Sequence, residues 1–266
     1  MSNNMTNNPA VISEAVKELT AGDEVKVTTL SPSNSEVLLP GGFIAKDGSV
    51  IKYAEVRELN GIDEEAISKA GSVGRALAAM LQRGVVSIGT NAADKNDIDN
   101  LLSGDRDALL LGIRRVTFGD TVDFEFPCPH CKTDLDVVVD LIQDIPVVEL
   151  DDPIQGRTFT YVSKKHGAIL VGLPTGAVQK KLVENSDKTV SELNTILLAG
   201  CIKTINGSSS LGATSALALG MVDREAIVAE IVKNNPGPRL GEVKTTCEAC
   251  GEDIPMPLSL ADLFRL

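Results

Sequence analysis

Two pairs of cysteines constrain the fold of this chain more than any other feature. Each pair encloses two residues, Cys128-Pro-His-Cys131 and Cys247-Glu-Ala-Cys250, and equivalent cysteines are 119 residues apart. Two intervening residues let both sulfurs of a tight turn reach one ion at about 2.3 Å, and two such turns complete a tetrahedral four-thiolate site. The sequence therefore predicts one structural zinc ion per chain, held by Cys128, Cys131, Cys247 and Cys250.

The spacing leaves other uses of these thiols open, namely two redox pairs, an iron centre or thiols without metal. Neither pair lies between a strand and a helix start, where a redox thiolate would be activated, and this disfavours a thioredoxin-like role. A catalytic zinc keeps one coordination position open, whereas four thiolates fill all four. His130, at an inner position of its turn, is expected to face solvent. Cys201, the fifth cysteine, is expected to be a small buried hydrophobe.

Charge and composition exclude several classes of function. The 266 residues include 25 Lys and Arg against 37 Asp and Glu, a net charge of −12, and only 3% aromatic residues, so the core must be aliphatic. Nucleic-acid surfaces need clustered cations and usually aromatic rings, and anionic membranes also need cations. With two histidines and no phosphate-loop, dinucleotide or metalloprotease motif, we find no catalytic or cofactor-binding constellation and expect no enzyme.

The order of predicted elements divides the chain into an arm and two units. Residues 1–36 are polar and carry one short amphipathic run, Ala10–Leu19, which predicts a flexible arm. No secretory signal and no apolar run near the ~18 residues of a membrane span is present, so synthesis in a reducing cytoplasm is expected. The first unit is assigned to 37–145 and the second to 146–266.

Within the first unit, short strands precede helices. Asp47-Gly48 predicts a hairpin turn before a strand at Val50–Val56, and a helix from Val73 to Gln82 is expected to stop at Gly84. A further helix follows Ser103-Gly-Asp105, and the acidic stretch 94–107 is interpreted as a solvated face with a helix cap. The unit ends in a strand–turn–strand, 122–139, that carries the first cysteine pair.

The second unit repeats this order. Asp105-Arg-Asp-Ala-Leu-Leu-Leu-Gly-Ile113 and Asp223-Arg-Glu-Ala-Ile-Val-Ala-Glu-Ile231 share four of nine residues at an offset of 118, close to the 119 of the cysteines. A nearly constant offset across several features indicates internal duplication. The predicted fold class is therefore α+β: two tandem pseudo-repeated units, each ending in a β-hairpin zinc knuckle, joined near a pseudo-two-fold axis by one four-cysteine site.

Three segments resemble a known family of phage proteins. They are 56–65 (Val-Arg-Glu-Leu-Asn-Gly-Ile-Asp-Glu-Glu), 103–120 (Ser-Gly-Asp-Arg-Asp-Ala-Leu-Leu-Leu-Gly-Ile-Arg-Arg-Val-Thr-Phe-Gly-Asp) and Cys128-Pro-His-Cys131. Together they resemble the baseplate hub proteins of contractile-tailed, T-even-type bacteriophages, which carry a Gly-Asp-Arg-x-x-Leu-Leu helix, a Thr-Phe-Gly-Asp turn and a Cys-Pro-x-Cys knuckle in that order. The likeness is strongest over residues 40–145.

The resemblance implies a structural role in the tail baseplate or hub of a virion, with assembly in the host cytoplasm. The implied partners are other tail proteins (hub, tube, tape measure or wedge) in a large symmetric assembly, without nucleic acid or membrane. An assembly chaperone that leaves the finished particle, a zinc-ribbon regulator and a cysteine-based redox enzyme are the alternatives. The acidic charge counts against the regulator.

Overall fold

The computed structural model describes residues 35–256 and 258–264. The predicted arm, with its helix at Ala10–Leu19, therefore lies almost entirely outside the described residues. In the part of the chain that is described, no helix combines the length and apolarity needed to cross a membrane.

The described residues form a mixed α+β fold with several small antiparallel sheets. Their strands are β1 (Glu36–Ile44), β2 (Val50–Val56), β3 (Val85–Ile88), β4 (Asn91–Ala92), β5 (Thr121–Pro127), β6 (Asp134–Asp140), β7 (Val147–Val148), β8 (Thr158–Ser163), β9 (Gly167–Gly172), β10 (Ile202–Ile205), β11 (Ser208–Ser209), β12 (Gly237–Pro238), β13 (Lys244–Thr246) and β14 (Asp253–Pro255). Two sheets have four strands, in the orders β1-β2-β3-β4 and β8-β9-β10-β11. The pairs β5-β6, β7-β12 and β13-β14 form two-stranded sheets.

Helices separate the strands. They are α1 (Gly61–Ser68), α2 (Val73–Gly84), α3 (Lys95–Asn100), α4 (Ser103–Phe118), α5 (Gly176–Glu184), α6 (Val190–Cys201), α7 (Ala213–Ala218), α8 (Met221–Asn234) and α9 (Leu260–Leu263). Short 3₁₀ turns occupy Gln155–Arg157 and Leu240–Glu242. The predicted strand Val50–Val56 and the end of α2 at Gly84 are confirmed. The helix expected after Asp105 begins earlier, at Ser103.

Local side chains explain where several helices begin. Asn60 accepts hydrogen bonds from the first backbone amides of α1 while Asp63 reaches back to the amide of Asn60, and Asp94 with Asp97 does the same at α3. Such capping boxes satisfy amides that have no partner inside the helix. The sequence thus sets these helix starts locally, before any tertiary packing.

The same order of elements occurs twice along the chain. Two strands, two helices, two strands, two helices and a strand–turn–strand appear as β1 to β6, and again as β8 to β11 followed by β13 and β14. The short helices α3 and α7 and the starts of the long helices α4 and α8 are each 118 residues apart. β3 and β10 are 117 apart, as are β4 and β11.

The buried residues form three hydrophobic clusters. The largest surrounds the first sheet and α4, with Leu39, Leu81 and Ile113 among its members, and the second lies under the second sheet, around Ile169 and Leu198. The expectation of an aliphatic core is confirmed, because Phe264 is the one aromatic ring among the buried hydrophobic residues of the described chain. The segment after β14 packs Met256, Leu258, Leu263 and Phe264 into the first cluster.

The start of α4 is hydrogen-bonded to the second half of the chain. The Ser103 amide donates to the carbonyl of Pro174 at 2.8 Å, and the Gly176 amide donates to the carbonyl of Leu101 at 2.9 Å. Thr175 forms an isolated antiparallel bridge with Leu102. These main-chain bonds fix the turn before α4 against the turn before α5.

A close backbone contact completes this junction. A Cβ on Gly104 would lie 1.5 Å from the carbonyl oxygen of Pro236, so only glycine fits there. The facing residue, Gly237, has φ 122°, in the region that favours glycine. The Ser103 hydroxyl is also 3.0 Å from the side-chain oxygen of Asn235. The junction therefore depends on small side chains on both sides.

Candidate metal centre

The first cysteine pair lies in the turn between β5 and β6. These strands pair in continuous register from Thr121 opposite Asp140 to Pro127 opposite Asp134. At the tip, the Cys128 amide donates to the carbonyl of Thr133 at 2.8 Å, and the Lys132 amide donates to the carbonyl of Cys128 at 3.0 Å. The turn requires a left-handed residue, and Lys132 adopts φ 64° despite its side chain.

The second pair lies in an equivalent turn between β13 and β14. The Cys247 amide donates to the carbonyl of Glu252 at 2.9 Å, and the Gly251 amide donates to the carbonyl of Cys247 at 2.7 Å. Gly251 has φ 74°, in the left-handed region that favours glycine. The two turns therefore share their hydrogen-bond pattern and a left-handed residue directly after the second cysteine.

The two turns bring all four predicted cysteines together. Their sulfur atoms lie within 4.8 Å of one another. Sγ of Cys128 is 3.8 Å from that of Cys250, and Sγ of Cys131 is 3.7 Å from that of Cys247. Four sulfurs at about 2.3 Å around a tetrahedral ion would be about 3.8 Å apart, whereas a disulfide needs about 2.0 Å. The geometry fits a four-coordinate metal ion.

Two close pairs of sulfurs cross between the two turns. Cys128 pairs with the second cysteine of the other turn, and Cys131 pairs with the first, so that each turn relates to the other in the same way. The partners in these pairs are 122 and 116 residues apart. A metal ion at this point would join segments that are distant in sequence.

The cluster is half-buried and has an apolar backing. Cys128 and Cys247 are buried against Ile254, with Phe126 and Leu135 packed around them, while the other two cysteines are exposed. The apolar side would strengthen metal–thiolate interactions by excluding water, and the open side would give an ion a route in.

The thiols influence one another's ionisation. Hydrogen bonds with the side chain and backbone of Thr133 lower the pKa of the Cys131 thiol to about 6. The amide of Glu252 favours the Cys250 thiolate, but desolvation and the three neighbouring sulfurs outweigh it and raise the pKa of Cys250 to about 12. Four thiolates this close repel each other without a cation among them. The donor set therefore suits a soft divalent ion such as Zn²⁺.

The two remaining candidates stand apart from the cluster. His130 is exposed and does not belong to the group of sulfurs. Cys201 is fully buried in the second hydrophobic cluster, and burial raises the pKa of its thiol to about 12. The thiol of Cys201 is therefore unreactive and packs as a hydrophobe, as expected.

A buried Asp-Arg pair shows where sequence reasoning was wrong. The stretch 94–107 was expected to be solvated, yet Asp105 is 0% exposed and Arg106 is 6% exposed. The Gly41 amide donates to the Asp105 carboxylate at 2.6 Å, and Arg106 donates to the carbonyl of Ile98 at 3.1 Å. The repetition of Asp-Arg at 223–224 was the available signal that these charges serve packing.

The second Asp-Arg pair makes matching contacts. Arg224 donates to the carbonyl of Ala216 at 2.8 Å, eight residues earlier, as Arg106 does with Ile98. Asp223 accepts hydrogen bonds from Tyr161 and Ser163 of β8, just as Asp105 accepts from β1.

Comparison with known protein families identifies one family that matches the chain. The model of the T4 bacteriophage base plate protein family matches residues 75–212, slightly more than half of the sequence. The chain belongs to the T4 bacteriophage base plate protein family. No curated protein and no solved structure shows significant similarity to it.

The baseplate family match covers a different range from the one that the sequence motifs suggested. Those motifs concentrated in residues 40–145, whereas the match begins inside α2 and continues through the junction to the residues after β11. It includes Cys128 and Cys131, and the second cysteine pair lies beyond it. Membership in this baseplate family implies other tail and baseplate proteins as neighbours.

Proposed function

We propose that this chain is a structural subunit of a phage tail baseplate or hub, stabilised by one zinc ion. The family match over residues 75–212 carries the proposal. The neighbours would be hub, tube, tape-measure or wedge proteins in a symmetric assembly. The subunit would assemble in the host cytoplasm and remain in the virion, as a scaffold and not as an enzyme.

The proposed zinc would be held by Cys128, Cys131, Cys247 and Cys250. Sulfur separations of 3.7 and 3.8 Å in the crossed pairs support this assignment. Bound zinc would supply a closed tetrahedral link without an open position for substrate. The chain's own contribution is to hold the sulfurs in place, through the turn amides and the apolar backing of Ile254.

We also propose that the two halves, 37–145 and 146–266, arose by duplication of one α+β unit. The recurring element order and the matching Asp-Arg contacts support it. Backbone angles agree as well, because Leu102 before α4 has φ −63° and ψ 152° while Gly220 before α8 has φ −64° and ψ 153°. Gly119 and Gly237, which are 118 residues apart, both have positive φ.

Quantitative mass spectrometry of purified particles tests the structural role. A baseplate subunit is expected at a fixed copy number per virion, and reconstruction of the tail should locate its density in the baseplate. Presence in assembly intermediates together with absence from mature particles would instead identify an assembly chaperone. Absence from both would refute the proposal.

A further inference from the structure

The contact between the two halves at this junction has no reciprocal counterpart among the described residues. The turn before α4 and its first residues, 101–104, pack on two segments of the second half, 174–176 and 235–237. A two-fold relationship between the halves would add the reciprocal contact, in which residues 219–222 pack on the first half. Met221 and Val222 are instead 87% and 79% exposed.

The equivalent receiving site in the first half is open. The segments that correspond to 174–176 and 235–237 are 59–61, before α1, and 117–119, at the end of α4. Both segments line a cavity of about 580 Å³. Its wall is largely apolar and includes Leu59, Ile67, Val73, Met80, Phe118 and Phe264. The residues that receive a helix start in one half therefore surround an accessible apolar cavity in the other.

The equivalent inserting segment is also exposed and apolar. It comprises Gly220, Met221 and Val222, here named the α8 start. Two large apolar side chains shortly before it in the sequence, Leu211 and Leu217, are 75% and 67% exposed. Concentrations of exposed apolar side chains on soluble proteins mark interaction surfaces. The exposed apolar side chains of the α8 start are therefore typical of a surface that a protein partner covers.

The inserting side chains and the space at the receiving site match in size. Within the chain, Gly104 approaches the Pro236 carbonyl so closely that no side chain fits. Because Gly104 has no side chain, its receiving site needs no cavity. At the α8 start, Val222 stands at the position of Gly104 and Met221 at the position of Ser103. Two large apolar side chains need room at the receiving site, and the cavity beside Phe118 offers it.

We propose that the α8 start of one copy of this chain inserts into the cavity beside Phe118 of a second copy. The intermolecular contact would repeat the contact that already joins the two halves. It joins different surfaces of the two copies, so it is heterologous and extends head to tail into a ring or a filament. This inference rests on the proposed duplication and does not depend on the zinc ion or on the baseplate neighbours.

Sedimentation velocity of the zinc-loaded full chain tests the proposal, over roughly 1 μM to 1 mM, the range from firm to transient association. The wild-type chain should self-associate as concentration rises. The double variant M221D/V222D should remain a monomer, and acidic residues in the first turn of α8 favour the helix and preserve the fold. Val232→Asp, which introduces the same charge at another exposed position of α8, should associate like the wild type.

Complementation distinguishes head-to-tail contact from other modes. Phe118→Ser alters the cavity and leaves the α8 start intact, and it should also be a monomer. Mixing it with M221D/V222D should give a one-to-one dimer that does not grow, because each variant retains one of the two surfaces. Val73→Asp, at the first position of α2 in the cavity wall, is a second cavity variant should Phe118→Ser fail to fold.

Three results would overturn the proposal. They are a wild-type chain that stays monomeric at every concentration, self-association of M221D/V222D at the wild-type level, and two monomeric, folded variants that form no dimer on mixing. The first would leave the cavity to a different protein, whereas the second would place the self-contact elsewhere on the chain.

Discussion

The backbone amide of Gly41 donates a 2.6 Å hydrogen bond to the buried carboxylate of Asp105. A Cβ on Gly41 would approach Leu102 at 2.6 Å, so the strand can reach the helix start only because it carries no side chain there. Arg157, from the second half, donates to the carbonyl of Gly42 in the same strand. One buried carboxylate thus stands where β1, α4 and the second half meet.

The closest backbone contact of this junction predicts a large effect of a single methyl group. Gly104→Ala should destabilise the chain by about 3 kcal/mol, because the added Cβ overlaps the Pro236 carbonyl and forces the two segments apart. Gly61→Ala is the matched control, since Gly61 also lies in the first turn of a helix but faces open space. Its effect should be within about 1 kcal/mol and stabilising. Urea unfolding measures both, and equal effects would contradict the close packing.

The ionisation of Asp105 predicts how stability depends on pH. Burial raises the pKa of Asp105 to about 7, whereas an unfolded aspartate titrates near 3.9. Between these values the folded chain binds more protons than the unfolded chain, so the free energy of unfolding should fall as pH rises from about 4 to 7, by at most about 1.4 kcal/mol per pH unit for one proton. Burial also raises the pKa of Asp107 to about 6, so that group adds to the same fall, and Asp105→Asn should reduce the slope without abolishing it.

Asp120→Asn provides the control for the pH experiment. Asp120 is at the surface and pairs with Arg115, and its replacement should leave the slope unchanged. The hydrogen bond from Arg57 lowers the pKa of Asp63 to about 2, so stability from that group is lost only as pH falls below about 4, outside the window. An identical slope for Asp105→Asn and the wild type would show that Asp105 is charged in the folded chain.

Two neighbouring arginines should differ in their contribution to stability. Arg114 donates to the carbonyls of Leu263, Gly119 and Thr121 at 2.8, 3.0 and 3.3 Å. Arg114→Met should cost about 2–4 kcal/mol because these carbonyls lose a buried, charged donor. Arg115→Met removes only a surface ion pair with Asp120 and should cost less than about 1 kcal/mol.

Hydrogen exchange locates the effect of Arg114→Met. Protection should fall in α9, because the lost hydrogen bond to Leu263 holds this short helix against α4. A uniform loss of protection across the chain, with α9 no more affected than α2, would contradict this role.

The proposed zinc predicts a stoichiometry and a dependence on each ligand. The purified chain should release one zinc per chain on denaturation, detected with a chromophoric chelator. Cys128→Ser should abolish this release and lower the unfolding free energy by several kcal/mol, because metal binding energy contributes directly to folding. His130→Ala changes the same turn at an exposed position and should retain both zinc and stability. Zinc-free wild-type protein, or a stable Cys128→Ser variant, would refute the site.

Features encoded by short stretches of sequence could be predicted well. The strand Val50–Val56 follows a glycine turn and has the predicted bounds, and the helix from Val73 ends at Gly84 as predicted. The clustering of four cysteines also followed from spacing, because Cys-x-x-Cys fixes the local turn and the recurrence suggests a shared ion. Backbone conformation and ligand spacing depend on few neighbouring residues, so these features can be predicted from the sequence alone.

Features that depend on distant partners could not be predicted. Asp105 and Arg106 lie in an acidic stretch whose composition favours solvent, and their burial requires Gly41, Ile98 and Asp99 to be brought to them by the fold. The composition of the stretch does not indicate these distant partners, and only the recurrence of Asp-Arg in the second half suggests that the charges are buried.

The two copies of the proposed repeat differ in the contacts that they make. The cysteine turns lie beside each other reciprocally, whereas Ser103 and Gly104 pack on the second half and Met221 and Val222 remain exposed. The pseudo-two-fold axis therefore stays a prediction, because a repeat in sequence does not fix which side chains each copy buries.

The division of the four sulfurs between two distant turns would set an order of events during synthesis. Each turn carries two of the cysteines, so a nascent chain that has emerged only as far as Cys131 offers two of the four ligands. Firm binding of the proposed zinc would have to wait until residue 250 has left the ribosome and the intervening segment has brought the two turns together. Acquisition of the ion would then report that both halves are present and correctly joined before the subunit enters an assembly.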